Sequence, residues 1–207
     1  MAYERKDHFY KRAKREGKIS RAVYKLSELQ NRFRLVKAGD TVIDLGSAPG
    51  GWLQELSPMV GRNGRIIGID LLPLKISPPQ NCTFILGDLL DEKNQDEIER
   101  LSGGGVDAVF SDMSPNLSGI SFADAYRSFE IASLAFDMCR RLLKDEGNFV
   151  VKIFPGQEFH DFIRTIKQNF KKVSAIVPEA TRKTSSERYV VAMGFIPPHL
   201  RQDLLTA

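Results

Sequence analysis

Apolar residues recur along this chain in two alternating periods. At about 100° per residue, Ala22, Val23, Leu26, Leu29 and Phe33 share one stripe of a helix. Ser20 can cap its start, and the helix is expected to run to about Val36. Lys25 falls at the edge of the stripe rather than on the solvent side. Shorter apolar runs read as strands at 41–45, 65–70, 83–86, 107–110, 148–154, 173–177 and 189–194. Helices are expected between them at 51–60, at 122–143 (ending near Gly147) and at 158–170. Ser102-Gly103-Gly104-Gly105 reads as a loop before a strand. Alternation of this kind predicts an α/β fold with a mainly parallel sheet and helices on both faces. The final two strands follow one helix and are joined by a loop, which predicts an antiparallel pair.

Composition narrows the class. The chain has 207 residues, 42% hydrophobic and 27% charged, as expected for one soluble globular domain spanning 1–207. No apolar run reaches the ~20 residues of a membrane span, so no membrane partner is expected. The charged start lacks the apolar centre of a signal peptide, and Glu4, Asp7 and Glu16 argue against a transit peptide. Cys82 and Cys139 lack metal-ligand spacing and are expected as reduced core thiols. Together these predict a cytoplasmic protein.

Charge distribution adds more than the net value of +4. Residues 1–37 carry 12 Lys/Arg against 4 Asp/Glu. The rest carries 18 against 22 and is therefore acidic. A basic arm on an acidic body points to a polyanion docked at one end, or else to a solvated helix. Phe9, Tyr10 and Tyr24 lie within the arm and either stack on bases or pack on the core.

The strand ends suggest the chemistry. Asp44 closes the first strand, and Gly46-Ser47-Ala48-Pro49-Gly50-Gly51 follows. This is neither the dinucleotide spacing nor a P-loop. Glycines permit close backbone approach to a ligand, and an acid beside them suits a cation such as a sulfonium rather than a pyrophosphate. Asp70 closes the second strand and suits ribose hydroxyls. Asp88 and Asp112 follow the third and fourth; Asp88 suits a purine amino group. Any one of these acids alone reads as an Asx turn or cap. Four at successive strand ends point to a ligand site. Trp52 either covers that ligand with its ring or fills the core. Lys152 sits in an otherwise apolar strand, where it either snorkels outward at the strand end or is desolvated, which favours the neutral amine and hence a base. Glu187 precedes the last strand and, alone, reads as a loop carboxylate.

Taken together, Ser20-Arg21-Ala22-Val23-Tyr24-Lys25-Leu26, Asp44 to Trp52, Asp70-Leu71-Leu72-Pro73, Ser111-Asp112-Met113-Ser114-Pro115-Asn116, Phe149-Val150-Val151-Lys152 and Ser185-Ser186-Glu187-Arg188-Tyr189 are specific. The chain resembles the FtsJ-type ribosomal RNA large-subunit 2′-O-ribose methyltransferases over almost its whole length. Ser47, where alanine is common, is a small departure. The resemblance implies a Rossmann-like fold with seven strands in order 3-2-1-4-5-7-6. It implies a catalytic Lys-Asp-Lys-Glu tetrad of Lys25, Asp112, Lys152 and Glu187. It further implies S-adenosyl-L-methionine (SAM) held by Gly50, Trp52, Asp70, Asp88 and Asp112. The expected target is a uridine ribose in large-subunit rRNA, naked or in the large ribosomal subunit, modified by a monomer without metal. The alternatives are a tRNA or mRNA-cap ribose, or a ribosome-assembly factor that binds RNA and SAM without turnover.

Overall fold

The computed structural model describes residues 8–182 and 184–200. In chain order the elements are α1 (His8–Arg15), α2 (Ala22–Phe33), β1 (Thr41–Leu45), α3 (Gly51–Val60), β2 (Arg65–Asp70) and β3 (Cys82–Leu86). There follow α4 (Glu92–Ser102), β4 (Val106–Ser111), α5 (Ser121–Leu142), β5 (Leu143–Ile153), α6 (Phe159–Lys167), β6 (Phe170–Ile176) and β7 (Arg188–Phe195). One sheet holds all seven strands in the order β3-β2-β1-β4-β5-β7-β6. β7 is antiparallel to both β5 and β6, and the other pairings are parallel.

Side chains alternate across a strand, so each strand feeds two cores. Ile43, Leu45, Val109, Phe149 and Val151 pack on one side with residues of α4, α5 and α6. Val42, Phe110, Val150, Tyr189 and Val191 pack on the other, under α2 and α3. The second face bears the site. Each of its rows is apolar until it nears the carboxyl edge of the parallel strands, and there turns polar. Val42 leads to Asp44, Phe110 to Asp112 and Val150 to Lys152. On antiparallel β7, Val191 leads back to Tyr189 and Glu187.

Several expected boundaries move for physical reasons. Ser20 is not the cap: Arg21 holds that position, and the Ser20 hydroxyl is turned inward without a hydrogen-bond partner. The helix stops at Phe33 because Arg34 turns left-handed, leaving Leu35 and Val36 as core residues. Ser102 belongs not to a loop but to the last turn of α4, a largely polar helix capped by the Asp91 carboxylate, which accepts from the Lys93 N–H. α5 ends at Leu142 instead of near Gly147. β5 starts immediately, pairs Val106 with Leu143, and resumes at Ala108 with Asn148. Phe170 opens β6 rather than closing α6, because its ring stacks on Phe149 and packs on Phe195. Cys139 is buried as expected, whereas Cys82 is only partly covered.

Candidate active site

The turn after β1 folds back onto β2. Gly46 and Ser47 both donate backbone hydrogen bonds to the Ile69 carbonyl, at 2.9 and 3.1 Å. Gly46 has φ of 83°, and a Cβ there would meet Met113 beside Asp112. Gly50 has φ of 113°, and a Cβ there would run into Ile76 from the loop after β2. Gly50 caps α3, so the first N–H groups of that helix, Trp52 among them, have no intrahelical acceptor.

The Trp52 ring fills the core and is not a cover for a ligand. It is 3% exposed, packs edge-on against Phe110 at 6.0 Å, and donates its indole N–H to the Ala22 carbonyl at 3.0 Å. What Trp52 retains for a ligand is its backbone N–H.

The acids at the strand ends differ in kind. Asp70 accepts from the Ala48 and Leu72 backbone N–H groups, both at 2.8 Å. It therefore ties the glycine turn to the end of β2. Asp88 makes an Asx turn with the Leu90 N–H at 2.9 Å and is exposed. Asp44 is fully buried, and neither carboxyl oxygen has a hydrogen-bond partner. The Ser47 hydroxyl donates instead to the Asp44 main-chain carbonyl. Burial, and then the charge of Asp112, push the Asp44 carboxyl up to about 8.

The other acids and bases form one connected chain. Lys25 donates to Glu187 at 2.5 Å and to the Tyr189 hydroxyl at 3.2 Å. Tyr189 donates to Asp112 at 2.5 Å. Lys152 pairs with the Asp112 carboxylate at 2.9 Å and donates to the Asp112 carbonyl at 2.6 Å. Lys25 is 5% exposed and Lys152 7%, so both cations sit where a charge is costly unless paired. Burial pushes the Asp112 carboxyl upward, but the Lys152 and Lys25 cations and the Tyr189 bond outweigh it and hold it below its usual range. Burial, reinforced by Asp112 and Glu187, keeps the Tyr189 phenol protonated well beyond its usual range.

Lys25, Asp112, Lys152 and Glu187, which the family resemblance implied as a group, stand together. Tyr189 was missed as their connector. One signal was available in the sequence, that it lies two positions from Glu187 and so on the same strand face; its place as the register partner of Lys152 shows only in the structure. Arm residues Phe9 and Tyr24 pack ring to ring at 5.7 Å, with Arg12 over Tyr24 at 4.5 Å, while Tyr10 is exposed. Residues 1–7 of the arm lie outside the described residues. Among the described residues, no helix is long and apolar enough to cross a membrane, and no group of His, Cys, Asp and Glu could hold a metal ion.

Residues 19–195 match the family model of the FtsJ-like methyltransferases. The chain belongs to that family. Among curated FtsJ relatives, the ribosomal RNA large subunit methyltransferase E of Marinobacter nauticus is 43% identical over 91% of both chains. That of Methanobrevibacter smithii is 41% identical over 92% of this chain and 91% of its own. A crystal structure described as a ribosomal RNA methyltransferase from Plasmodium falciparum superposes with a TM-score of 0.74 at 26% identity, over 86% of this chain and 98% of that one. Aeropyrum pernix fibrillarin, solved with bound SAM, shares the fold at a TM-score of 0.55 and 22% identity, over 77% of this chain and 68% of that one. The observed strand order is the one that the family resemblance implied.

Proposed function

We propose that this FtsJ-family chain transfers a methyl group from SAM to a ribose 2′-oxygen of large-subunit rRNA, with a uridine as the target. The observation that carries the reading is the buried chain Glu187–Lys25–Tyr189–Asp112–Lys152. A protein that only bound RNA would have no use for two desolvated lysines locked in one polar network.

The residues present fit SAM. Asp44 is a buried carboxyl group with no hydrogen-bond partner, at the place where a sulfonium or ammonium would be welcome. Gly50 and the free N–H groups at the start of α3 offer close backbone approach. Asp70 and Asp88 retain acceptor capacity for ribose hydroxyls and an adenine amino group. When bound, SAM supplies an electrophilic methyl.

The chain's own residues supply the rest. A 2′-hydroxyl is a weak nucleophile, so its proton must be taken by a base. Lys152 takes that role, because it lies near the end of β5 at the carboxyl edge beside Asp112. Asp112 fixes the Lys152 nitrogen through two contacts. Tyr189 and Lys25 hold Asp112 in turn, and Glu187 balances Lys25. Alignment of acceptor and donor supplies much of the remaining acceleration. The basic arm would hold RNA phosphates.

The test is incubation of the protein with labelled SAM and large-subunit RNA or subunits from cells lacking it, followed by mapping of 2′-O-methyl groups. A single new 2′-O-methyl on large-subunit rRNA is expected. Label on a base, on tRNA only, or nowhere overturns the assignment.

A further inference from the structure

A small cavity of about 150 Å³ lies beside the catalytic chain, lined by Leu117, Ser121, Phe154, Pro155, Ser185 and Ser186 among others. Its walls are direct continuations of the strands that deliver the catalytic groups. The segment after β4 carries Asp112 and then Leu117. β5 ends with Lys152 and Ile153, and Phe154 and Pro155 follow. Ser185 and Ser186 lead into Glu187. Asp124 lines it, but none of the cofactor-side acids does: Asp44 and Asp70 belong to β1 and β2 and Asp88 follows β3, at the other side of the site.

The walls are held in place. The Phe154 N–H donates to the buried Ser128 hydroxyl at 2.9 Å. Asp124 accepts from the Ser118 N–H, the Ser118 hydroxyl and the Gly119 N–H, which closes the loop that bears Leu117 onto α5. The Ser185 hydroxyl accepts from the Glu187 N–H at 3.3 Å. Leu117 is nevertheless 65% exposed, an apolar side chain with little protein cover at the mouth of the cavity.

We propose that this cavity receives the base of the nucleotide being methylated, taken out of its stack. The inference rests on the 2′-O-methyltransferase reading above. A ribose whose 2′-oxygen lies at Lys152 must send its base away from the sulfonium, and Leu117, Phe154 and Ser186 lie on the segments that continue from Asp112 and Lys152 and precede Glu187. A cavity of this volume is the size that takes up a benzene-like ring, so it fits a single six-membered base better than a fused purine. Phe154, Pro155 and Leu117 offer apolar and aromatic contact to the ring faces. The hydroxyls of Ser185 and Ser186 can each donate and accept, as a base edge requires.

The experiment uses the full chain and RNA carrying the mapped target in four forms: natural, abasic ribonucleotide, adenosine and guanosine. Single-turnover transfer is measured with SAM saturating. The abasic target should lose roughly tenfold or more, the scale of one base–aromatic contact, and both purines should be slower still. Ser186→Leu, which fills the cavity, should slow the natural target by a similar factor but leave the abasic one nearly unchanged. Leu117→Ala should narrow the gap between purine and natural targets. SAM affinity, measured directly, should stay constant in both variants. An abasic target methylated as fast as the natural one overturns the proposal. So does a Ser186→Leu variant that slows both targets equally. Failure of all forms to gain a 2′-O-methyl overturns the underlying function instead, so the two failures are distinguishable.

Discussion

The hydroxyl of Tyr189, a side chain with no solvent exposure, donates a 2.5 Å hydrogen bond to the carboxylate of Asp112. The same oxygen accepts from Lys25, so one phenol couples both halves of the site. Tyr189→Phe removes the coupling and keeps the ring. A hydrogen bond to a charged group is worth about 1.5–3 kcal/mol, so unfolding by denaturant should register a loss in that range. Single-turnover transfer should fall by roughly tenfold to a hundredfold. Without this donor the Asp112 carboxyl rises, so the acidic limb of the rate profile should move to higher pH. An unmoved limb would mean that the phenol serves packing alone.

Lys152→Ala should lose about 10²–10⁴-fold in transfer, the scale of a positioned base. Lys152→Arg should fail too, because a guanidinium stays protonated and cannot accept the hydroxyl proton. SAM binding by calorimetry should change little in either. Near-normal transfer by Lys152→Arg would leave positioning as the only role for Lys152.

Lys25 and Glu187 are a buried ion pair, with side chains 6% and 10% exposed. Removing one partner leaves an uncompensated charge, so Lys25→Met and Glu187→Leu should each cost about 3–5 kcal/mol in denaturant unfolding. The double variant should recover most of that stability. Its methyl transfer should stay low, because Tyr189 and Asp112 still lack a cation on that side. Recovery of both together would show the pair to be structural only.

Asp44 makes the stability depend on pH. Its folded carboxyl is lifted to about 8, far above the unfolded value. Below the unfolded value both states hold the proton and there is no penalty. As pH rises toward 8 the unfolded state gives up its proton and the folded one does not, so stability falls, and it levels off above that. Asp44→Asn should therefore raise the thermal midpoint little at pH 4 and most at pH 8–9. A bound sulfonium should draw the proton off, so SAM binding near pH 7 should release protons. Calorimetry in buffers of different ionisation enthalpy reads this, and identical heats in all of them would place Asp44 away from the ligand charge.

The arm should set the salt dependence. Deleting residues 1–18 should weaken RNA binding and flatten its log–log salt slope by ~0.7–0.9 per lost phosphate contact. SAM affinity should survive, since its loops lie in the body. An unchanged slope would make α1 a solvated helix held by Arg12, Glu16 and Tyr24.

What was legible in the sequence follows from periodicity. Strand positions alternate regardless of partners, so Asp44, Asp112 and Lys152 could be placed at strand ends, and the sheet order followed from the family resemblance. Lys25 was visible because a cation on the edge of an apolar stripe breaks the helical pattern. Boundaries set by tertiary contact were not legible. Nothing local tells Phe170 that Phe149 and Phe195 await it in a strand. α4 hid because it buries little beyond Ile98. Tyr189 hid because an aromatic in a strand looks like core, and its hydroxyl gains meaning only opposite Lys152.

The strand order carries a consequence in time. β7 follows all its neighbours in the chain, yet it lies between β5 and β6 and brings both Tyr189 and Glu187. Lys25 therefore waits for a partner 162 positions away. Contacts so distant in sequence form late in folding. During synthesis Lys25 is made early and lacks Glu187 and Tyr189 until the final strand slides home, whereas Lys152 meets Asp112, which precedes it. Any product cut short before it keeps the glycine turn but lacks Tyr189 and Glu187, so the arrival of one strand completes the proposed centre.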